Sequence, residues 1–545
     1  MKNNEQMMDI INKLNESRKN QIIFLSLLVV SALVIRLYNF PLDVPFFGDA
    51  QGYFWYAIDT SILNQFPVGH SVTNNGWPLF VSIFFHIIDS NNFLDYQNIQ
   101  RFIGVIFSVL TIFPVYFLCT RFFKKSYSLL GATLFIFEPR LIQNSSNGTP
   151  ESMYIFLIAT LLYLFLSNNF KKIYLSFLII GIISVVRYEG LLIIIPISIV
   201  FFIRFRSRKN DILKYFICAI ILCSIILPVA YLKNETMGQD GFVSHISAGP
   251  NYYQASIIEN NSALENFVTN GIINISKYLG WIQIPYFLFF VPLGILLFLK
   301  NIEYKKITII LTVCVILIPA FYAYSRDFSE TKYLYALFPI FAILSCPIFK
   351  IIFDKTDKKK LIFCLILTGI ILSSMIFIVW KSIDYEHYRE TYQILTEISD
   401  KNMIVNSDFG VYGGEFVYFH WTRLHGIEEF PIKKDQVPEL TLSYAKQLPE
   451  RERTMKLDRT SEPIWKDKNQ INDFEEYLTL LKVQNVSHLL IDEKNNTILI
   501  NDELRSDLIH VFNNEEKYPF LTKEYDSKEN GFKYHIKLFK INYLE

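Results

Sequence analysis

Residues 21–57 read QIIFLSLLVVSALVIRLYNFPLDVPFFGDAQGYFWYA, and the order of their characters decides the class of protein. The opening run is long and apolar enough to cross a bilayer, which takes roughly 20 such residues. It is followed at once by Asp43 and Asp49 and then by the aromatic cluster Tyr53, Phe54, Trp55 and Tyr56. A spanning helix that opens onto acids and aromatic rings is the signature of a membrane boundary, where aromatic side chains concentrate. Residues 1–20 before it are polar and mixed in charge, and no small-residue cleavage site follows the run, so an uncleaved first helix behind a short cytoplasmic segment is expected.

The rest of the chain extends this reading. Across 545 residues, 51% are hydrophobic, 16% aromatic and only 19% charged, too apolar for an ordinary soluble protein. A net charge of +1 supplies no basic field for nucleic acid. The six cysteines all fall in apolar stretches and read as small hydrophobes. Eleven segments can span: about 21–39, 101–120, 126–138, 150–167, 172–186, 188–204, 212–232, 281–299, 306–324, 333–352 and 361–380, the third being short. Lys and Arg cluster at 18–19, 121–125, 171–172, 204–209, 300–306 and 355–360, which all fall on one side if the eleven spans alternate. That side is the cytoplasm. The stretch between Arg36 and Arg101 holds no Lys or Arg but five Asp residues, so the loop 40–100 lies on the other side, together with a second long loop at 233–277.

The expected fold class is therefore a polytopic α-helical membrane protein with about 11 transmembrane helices over 21–380, carrying a C-terminal exterior α/β or α+β domain at 381–545. Within the first loop, Tyr53–Ile58 and Trp77–Ile88 have helical periodicity and read as short helices lying along the interface. In the tail, Tyr385, Tyr388, Leu395 and Ile398 mark one amphipathic helix, and Phe474, Tyr477, Leu478 and Leu481 mark another. MIVN at 403–406, SHLLID at 487–492 and FKYHIKLFKI at 532–541 read as strands.

Two acids stand out as chemistry. Asp49 in PFFGDAQGYFWYA sits near the outer membrane boundary, where it is either an N-cap of the helix that follows or a functional carboxylate. Glu151 opens the fourth span in NGTPESMYIFLIA, where Pro-Glu suits a helix start as well as it suits catalysis. Both lie at the same face, so one exterior cleft can hold them, as a general base for an acceptor hydroxyl or as ligands of a divalent cation. Cations on this face are few: Arg140, Arg187, Lys277, Arg326 and Lys332. The turn in VVRYEGLLIIIP is so tight that Arg187 and Glu189 sit at membrane depth, paired with each other or with an outside anion such as phosphate, which a guanidinium grips with two donors. His70, His86, His245 and the His420/His425 pair lack metal-ligand spacing.

These features together, an acid in the first exterior loop, Pro-Glu opening the fourth span, an Arg-Tyr-Glu-Gly turn and ETKYLYALFP at 330–339 before a late span, resemble the GT-C membrane glycosyltransferases. The resemblance covers about residues 21–350 and is nearest to the branch holding the protein O-mannosyltransferases and the lipid A aminoarabinose transferase. It implies a sugar donor linked to a polyprenyl phosphate such as dolichyl phosphate, Asp49 as catalytic base with Glu151 beside it, and a donor phosphate near Arg187, Lys332, Arg326 and Arg140. Tyr53, Glu189 and Tyr333 would line the substrate. The acceptor, protein, lipid or glycan, would meet the donor at the non-cytoplasmic face of a plasma membrane, or of the endoplasmic reticulum in a eukaryote. The chain departs from the pattern in two places: Tyr188 stands where the family turn has Pro, and Ala50 where the mannosyltransferase acid pair has Glu. The Trp-Trp-Asp motif of oligosaccharyltransferases is absent, which favours transfer of a single sugar over an oligosaccharide. A transporter or a non-catalytic scaffold are the readings from other classes.

Overall fold

The protein is described by a computed structural model covering residues 17–545, except 39, 47, 65–73, 89, 91, 206–209, 248–261, 327, 357, 384, 399–473, 484–485, 494–501 and 544–545. Its helices turn apolar side chains outward as well as inward. Leu27, Val30 and Val34 of helix Arg18–Tyr38 and Phe289, Leu293 and Leu296 of helix Phe287–Phe298 are exposed, a distribution that suits lipid and not water. Among the described residues, seven helices are long and apolar enough to cross a membrane, or eight if the bent pair Glu265–Ile282 and Phe287–Phe298 counts as one span. This is an integral membrane protein, and length alone does not reach the expected eleven spans. The segments expected at 126–138, 150–167 and 172–186 form helices Lys125–Ile136, Glu151–Phe165 and Phe170–Val186, cut short by polar or Pro-bearing ends.

The basic clusters gather at one end of the bundle. Arg121 Nη2 donates to the Tyr163 carbonyl (3.3 Å), Lys305 Nζ to the Arg121 carbonyl (3.1 Å) and Arg204 Nη1 to the Phe165 carbonyl (2.8 Å). The Arg204 guanidinium also lies over the Tyr304 ring at 4.8 Å. Tyr163 and Glu151 sit near opposite ends of the 15-residue helix Glu151–Phe165, which at 1.5 Å per residue is about 22 Å long. Glu151 therefore marks the far end.

At that end the first loop forms the two short helices its periodicity suggested, with their aromatic rings packed inward. Helices Asp49–Leu63 and Gly76–Phe85 bury Phe54, Tyr56 and Trp77 completely. The anchor is Gly148, whose carbonyl accepts from Trp77 Nε1 (2.8 Å) and Gln100 Nε2 (2.6 Å). Its φ of 73° is open to glycine at no steric cost, and a Cβ there would come within 2.2 Å of the Phe46 ring. Gly148→Ala is expected to destabilise the protein by about 1–3 kcal/mol from the strained backbone alone. A melting temperature equal to wild type in detergent would show that the turn at 148 relaxes to a conformation alanine accepts and that Phe46 yields to the added methyl group.

The second loop also holds a helix, Ser262–Ile282, where none was expected. Asn270, Asn274 and Lys277 interrupt its apolar pattern, but it crosses the end of helix Tyr304–Ser325. Gly271 permits the approach, since a Cβ there would lie 2.6 Å from the Phe321 ring. Asn274 Nδ2 donates to the Tyr324 carbonyl (3.1 Å), and Tyr278 stacks on Tyr324 at 4.8 Å. The chain then turns by 109° into helix Phe287–Phe298.

The C-terminal region is a three-stranded antiparallel sheet, β1 (His488–Asp492), β2 (Leu521–Asp526) and β3 (Ile536–Ile541), in the order β1-β3-β2. Helices Phe474–Val483 and Asp502–Asn513 cover one face through Tyr477, Leu504 and Phe539. Against the other face packs helix Tyr385–Ile398, through Ile394, Leu395, Leu490, Ile536 and Leu538. With all pairings antiparallel this is the α+β alternative. The expected strand at 403–406 and the His420/His425 pair lie outside the described residues.

Helix Tyr385–Ile398 faces both ways. Its Glu390 accepts from the backbone N–H groups of Lys533 (2.8 Å) and Tyr534 (3.0 Å) of the β2–β3 hairpin. On the membrane side Arg389 Nη2 donates to Asp43 Oδ1 (3.0 Å), and Tyr392 meets Phe93 edge to face. The guanidinium of Arg389 holds the Asp43 carboxyl below its ordinary range.

Candidate active site

Two short breaks between helices bring the acids together. The chain enters helix Asp49–Leu63 through Gly48 at φ 60°, so Gly48 occupies the N-cap and Asp49 is the first helical residue. With no capping role, its carboxylate is met across the site by Lys332 Nζ at 2.5 Å. Lys332 comes from the 3₁₀ turn Thr331–Leu337 that leads into helix Phe338–Asp354, and it also reaches Glu330 at 2.5 Å.

The second acid is buried. Glu151 begins helix Glu151–Phe165 behind Pro150, and its Oε1 receives Arg187 Nη1 at 2.8 Å. Arg187 occupies the extended residue between helix Phe170–Val186 and the 3₁₀ turn Tyr188–Ile193. Its Nη2 donates to Glu189 Oε1 at 2.9 Å, and its guanidinium lies over Tyr154 at 5.4 Å. One guanidinium thus serves two carboxylates, leaving the triad one positive charge short of neutrality. The Oε2 atoms of Glu151 and Glu189 are both buried with no hydrogen-bond partner. A buried acceptor left empty costs about 1–3 kcal/mol, more when charged, so these two atoms are positions where a bound molecule would contribute donors.

Two cavities meet at Lys332. One, of about 30 Å³, is lined by Glu151, Tyr154, Arg187, Glu189 and Tyr333. The other, of about 490 Å³, is lined by Asp49, Arg101, Asn147, Thr149, Glu330 and Tyr385 among others. Lys332 and Tyr335 line both.

The structure thus brings Asp49, Glu151, Arg187, Glu189, Lys332 and Tyr333 to adjoining cavities, and leaves three expected residues away from their walls. Tyr53 is buried beneath the site, its hydroxyl 3.4 Å from Asn74 Nδ2, while Asn74 Oδ1 accepts from the Tyr188 N–H at 3.4 Å. Burial pushes the Tyr53 phenol above its ordinary range. Tyr53 therefore braces the Arg187 turn from the first loop. Arg140 is fully committed elsewhere: Nη1 to Glu138 (2.9 Å) and the Ile284 carbonyl (2.5 Å), Nη2 to the Trp281 carbonyl (2.6 Å), and its face over Phe377 at 4.5 Å. Arg326 is exposed between the rings of Tyr322 (5.5 Å) and Phe328 (5.3 Å). The residues that sequence reasoning passed over are Glu330, Tyr154, Tyr335 and Arg101. Glu330 stands inside the quoted ETKYLYALFP, whereas Arg101 was noticed only as the end of a loop without cations.

As for a divalent cation, the donor set argues against an all-protein site. Among the described residues no three His, Cys, Asp or Glu side chains converge, and Asp49 is already met by an ammonium.

Comparison with known proteins agrees with this architecture. Residues 77–232 match the family described as dolichyl-phosphate-mannose-protein mannosyltransferase. The oligosaccharyltransferase of Archaeoglobus fulgidus in its apo form shares the fold at TM-score 0.52 and 13% identity, over 88% of this chain and 70% of that one. The same archaeal enzyme, AglB, in complex with an inhibitory peptide and a dolichol-phosphate gives TM-score 0.52 at 14% identity, over 88% and 70% of the two chains. No curated protein matches in sequence. Fold and family match point the same way: residues 77–232 are similar to the mannosyltransferase family, and the helical bundle shares the fold of the archaeal oligosaccharyltransferase. The stretch that matches the dolichyl-phosphate-mannose-protein mannosyltransferases contains Glu151, Arg187 and Glu189, while Asp49 and Lys332 reach the site from outside it.

Proposed function

We propose that this chain moves a single sugar from a polyprenyl-phosphate-linked donor to an acceptor hydroxyl, with inversion, at the non-cytoplasmic face of a plasma membrane. The observation that supports the reading is Lys332, placed between a cleft lined by Glu151, Arg187 and Glu189 and a roomier cavity lined by Asp49. The donor sugar lies at the mouth of the cleft, which at about 30 Å³ admits a hydroxyl group and not a sugar ring, and the unpaired Oε2 atoms of Glu151 and Glu189 accept from the hydroxyls directed at it. The acceptor occupies the larger cavity. Asp49 takes the acceptor's proton as its oxygen attacks the anomeric carbon, and the bond from that carbon to phosphate breaks. Polyprenyl phosphate departs with the electron pair, its charge held by Lys332 and Arg187.

In the structure the Asp49 carboxylate is occupied by the Lys332 ammonium. An incoming donor phosphate competes for the same ammonium, so donor binding frees the base. Sidedness is supported by the gathering of basic side chains at the end of the bundle opposite Glu151. The AglB likeness across 88% of the chain favours one second reading, en bloc oligosaccharide transfer; the chain contains no Trp-Trp-Asp motif to recognise an Asn acceptor. A transporter would want its charges at the midplane.

The test is transfer of radiolabelled sugar from polyprenyl-phosphate donors in right-side-out and inverted vesicles. Product formed only with acceptor on the exterior side is expected. Product confined to the cytoplasmic side would reverse the orientation, and transfer of lipid-linked oligosaccharide alone would favour the second reading.

A further inference from the structure

The larger cavity carries a charge that the transfer reaction does not use. Arg101 lies in its wall at 2% exposure. Nη1 donates to Asn98 Oδ1 (3.0 Å), Nη2 to the Val44 carbonyl (2.5 Å), and the guanidinium lies over the Phe46 ring at 4.3 Å. Its Nε is buried without any partner. Among the described residues no carboxylate is within ion-pair distance of it, and the nearby Asp43 is held by Arg389. A buried cation whose only acceptors are neutral is costly and calls for an anion.

The remainder of the wall is built for hydroxyl groups. Thr149 Oγ1 is a second buried atom with no partner. Asn144 and Asn147 line the same cavity. Small-molecule pockets are mostly apolar with few polar groups; this one keeps an apolar majority but adds Ser146, Ser329 and Thr331 to Thr149, Asn144 and Asn147, a set of hydroxyl and amide residues that suits a polyhydroxylated ligand. Its volume of about 490 Å³ falls within the range for such ligands.

We propose that the cavity is an acceptor subsite for an anionic saccharide, with a carboxylate or phosphate on the sugar seated against Arg101 and its hydroxyls on Thr149, Asn144 and Asn147. The proposal rests on the transferase reading for the word acceptor, since Asp49 lines the same cavity. The anionic group anchors one end of the acceptor while another of its hydroxyls reaches Asp49.

Binding can be measured without any donor, which separates it from transfer. The full chain in nanodiscs is titrated with methyl glucuronide, glucose 6-phosphate and methyl glucoside. At least tenfold tighter binding of one or both anionic probes is expected, and which of the two binds tighter tells carboxylate from phosphate. Arg101→Gln should erase that preference. Because Arg101 also holds Val44, Thr149→Val with Asn147→Leu serves as a second variant, expected to weaken all probes about tenfold while leaving the charge preference intact. Equal binding of charged and neutral probes, no binding of any, or a folded Arg101→Gln that keeps the preference overturns the proposal. If transfer from a polyprenyl donor to neutral acceptors then proceeds normally, the transferase reading stands and only the subsite fails.

Discussion

Asparagine in place of Asp49 is expected to lower sugar transfer by roughly 100- to 10,000-fold, the range associated with losing a general base. The substitution keeps shape and a polar tip but cannot take a proton. It should hardly affect folding, because Asp49 is 63% exposed on its side chain and its partner Lys332 is reached by solvent; exposed pairs contribute about 0–1 kcal/mol. Donor binding should hold or tighten, since Lys332 is released toward the phosphate. Initial rates and donor affinity measured on equal amounts of the two proteins distinguish the cases. A variant with transfer within threefold of wild type would remove Asp49 from the chemistry and leave it as a resting place for Lys332.

Removing Arg187 should act on both stability and activity. Arg187→Ala strands Glu151 and Glu189, both at or below 13% side-chain exposure, without the guanidinium that pairs with both; breaking a buried pair in this way costs about 3–5 kcal/mol. The loss should appear as a lower melting temperature in detergent together with undetectable transfer. Arg187→Lys separates the two effects. A lysine supplies the charge but not the two-pronged geometry that spans Glu151 and Glu189, so it should recover much of the stability while transfer remains more than tenfold down. Equal melting of Arg187→Ala and wild type would mean that the carboxylates are protonated or solvated, and that the triad is not held together by charge.

What could be read in the sequence was whatever is local. Asp49 and Glu151 each stand at a helix start, and Arg187 and Glu189 are two residues apart, so their shared face followed from span alternation and a tight turn. Their partnerships are not local. Lys332 meets Asp49 across 283 positions and Arg187 meets Glu151 across 36, and no periodicity encodes such distances. Arg140 misled because its nearest acid, Glu138, is embedded in an apolar run and looked like part of a span; the two are in fact paired with each other. Helix Ser262–Ile282 was invisible because Asn and Lys residues break its apolar pattern, and its stabilising partner is the distant end of helix Tyr304–Ser325. In the tail, the short apolar run in SHLLID and the helical spacing from Tyr385 depend only on neighbours, and there strand and helix stand where the pattern suggested.

Helix Tyr385–Ile398 ties the C-terminal sheet to the wall of the larger cavity. Its first residue, Tyr385, is part of the larger cavity's wall, and a turn later the same rod is bolted to the hairpin by Glu390 and wedged into the sheet by Ile394 and Leu395. A tilt of the sheet cannot be absorbed in between, because a continuous helix has no hinge. Grafting the C-terminal region of a relative onto this bundle is therefore expected to reshape the cavity without altering any residue of the bundle.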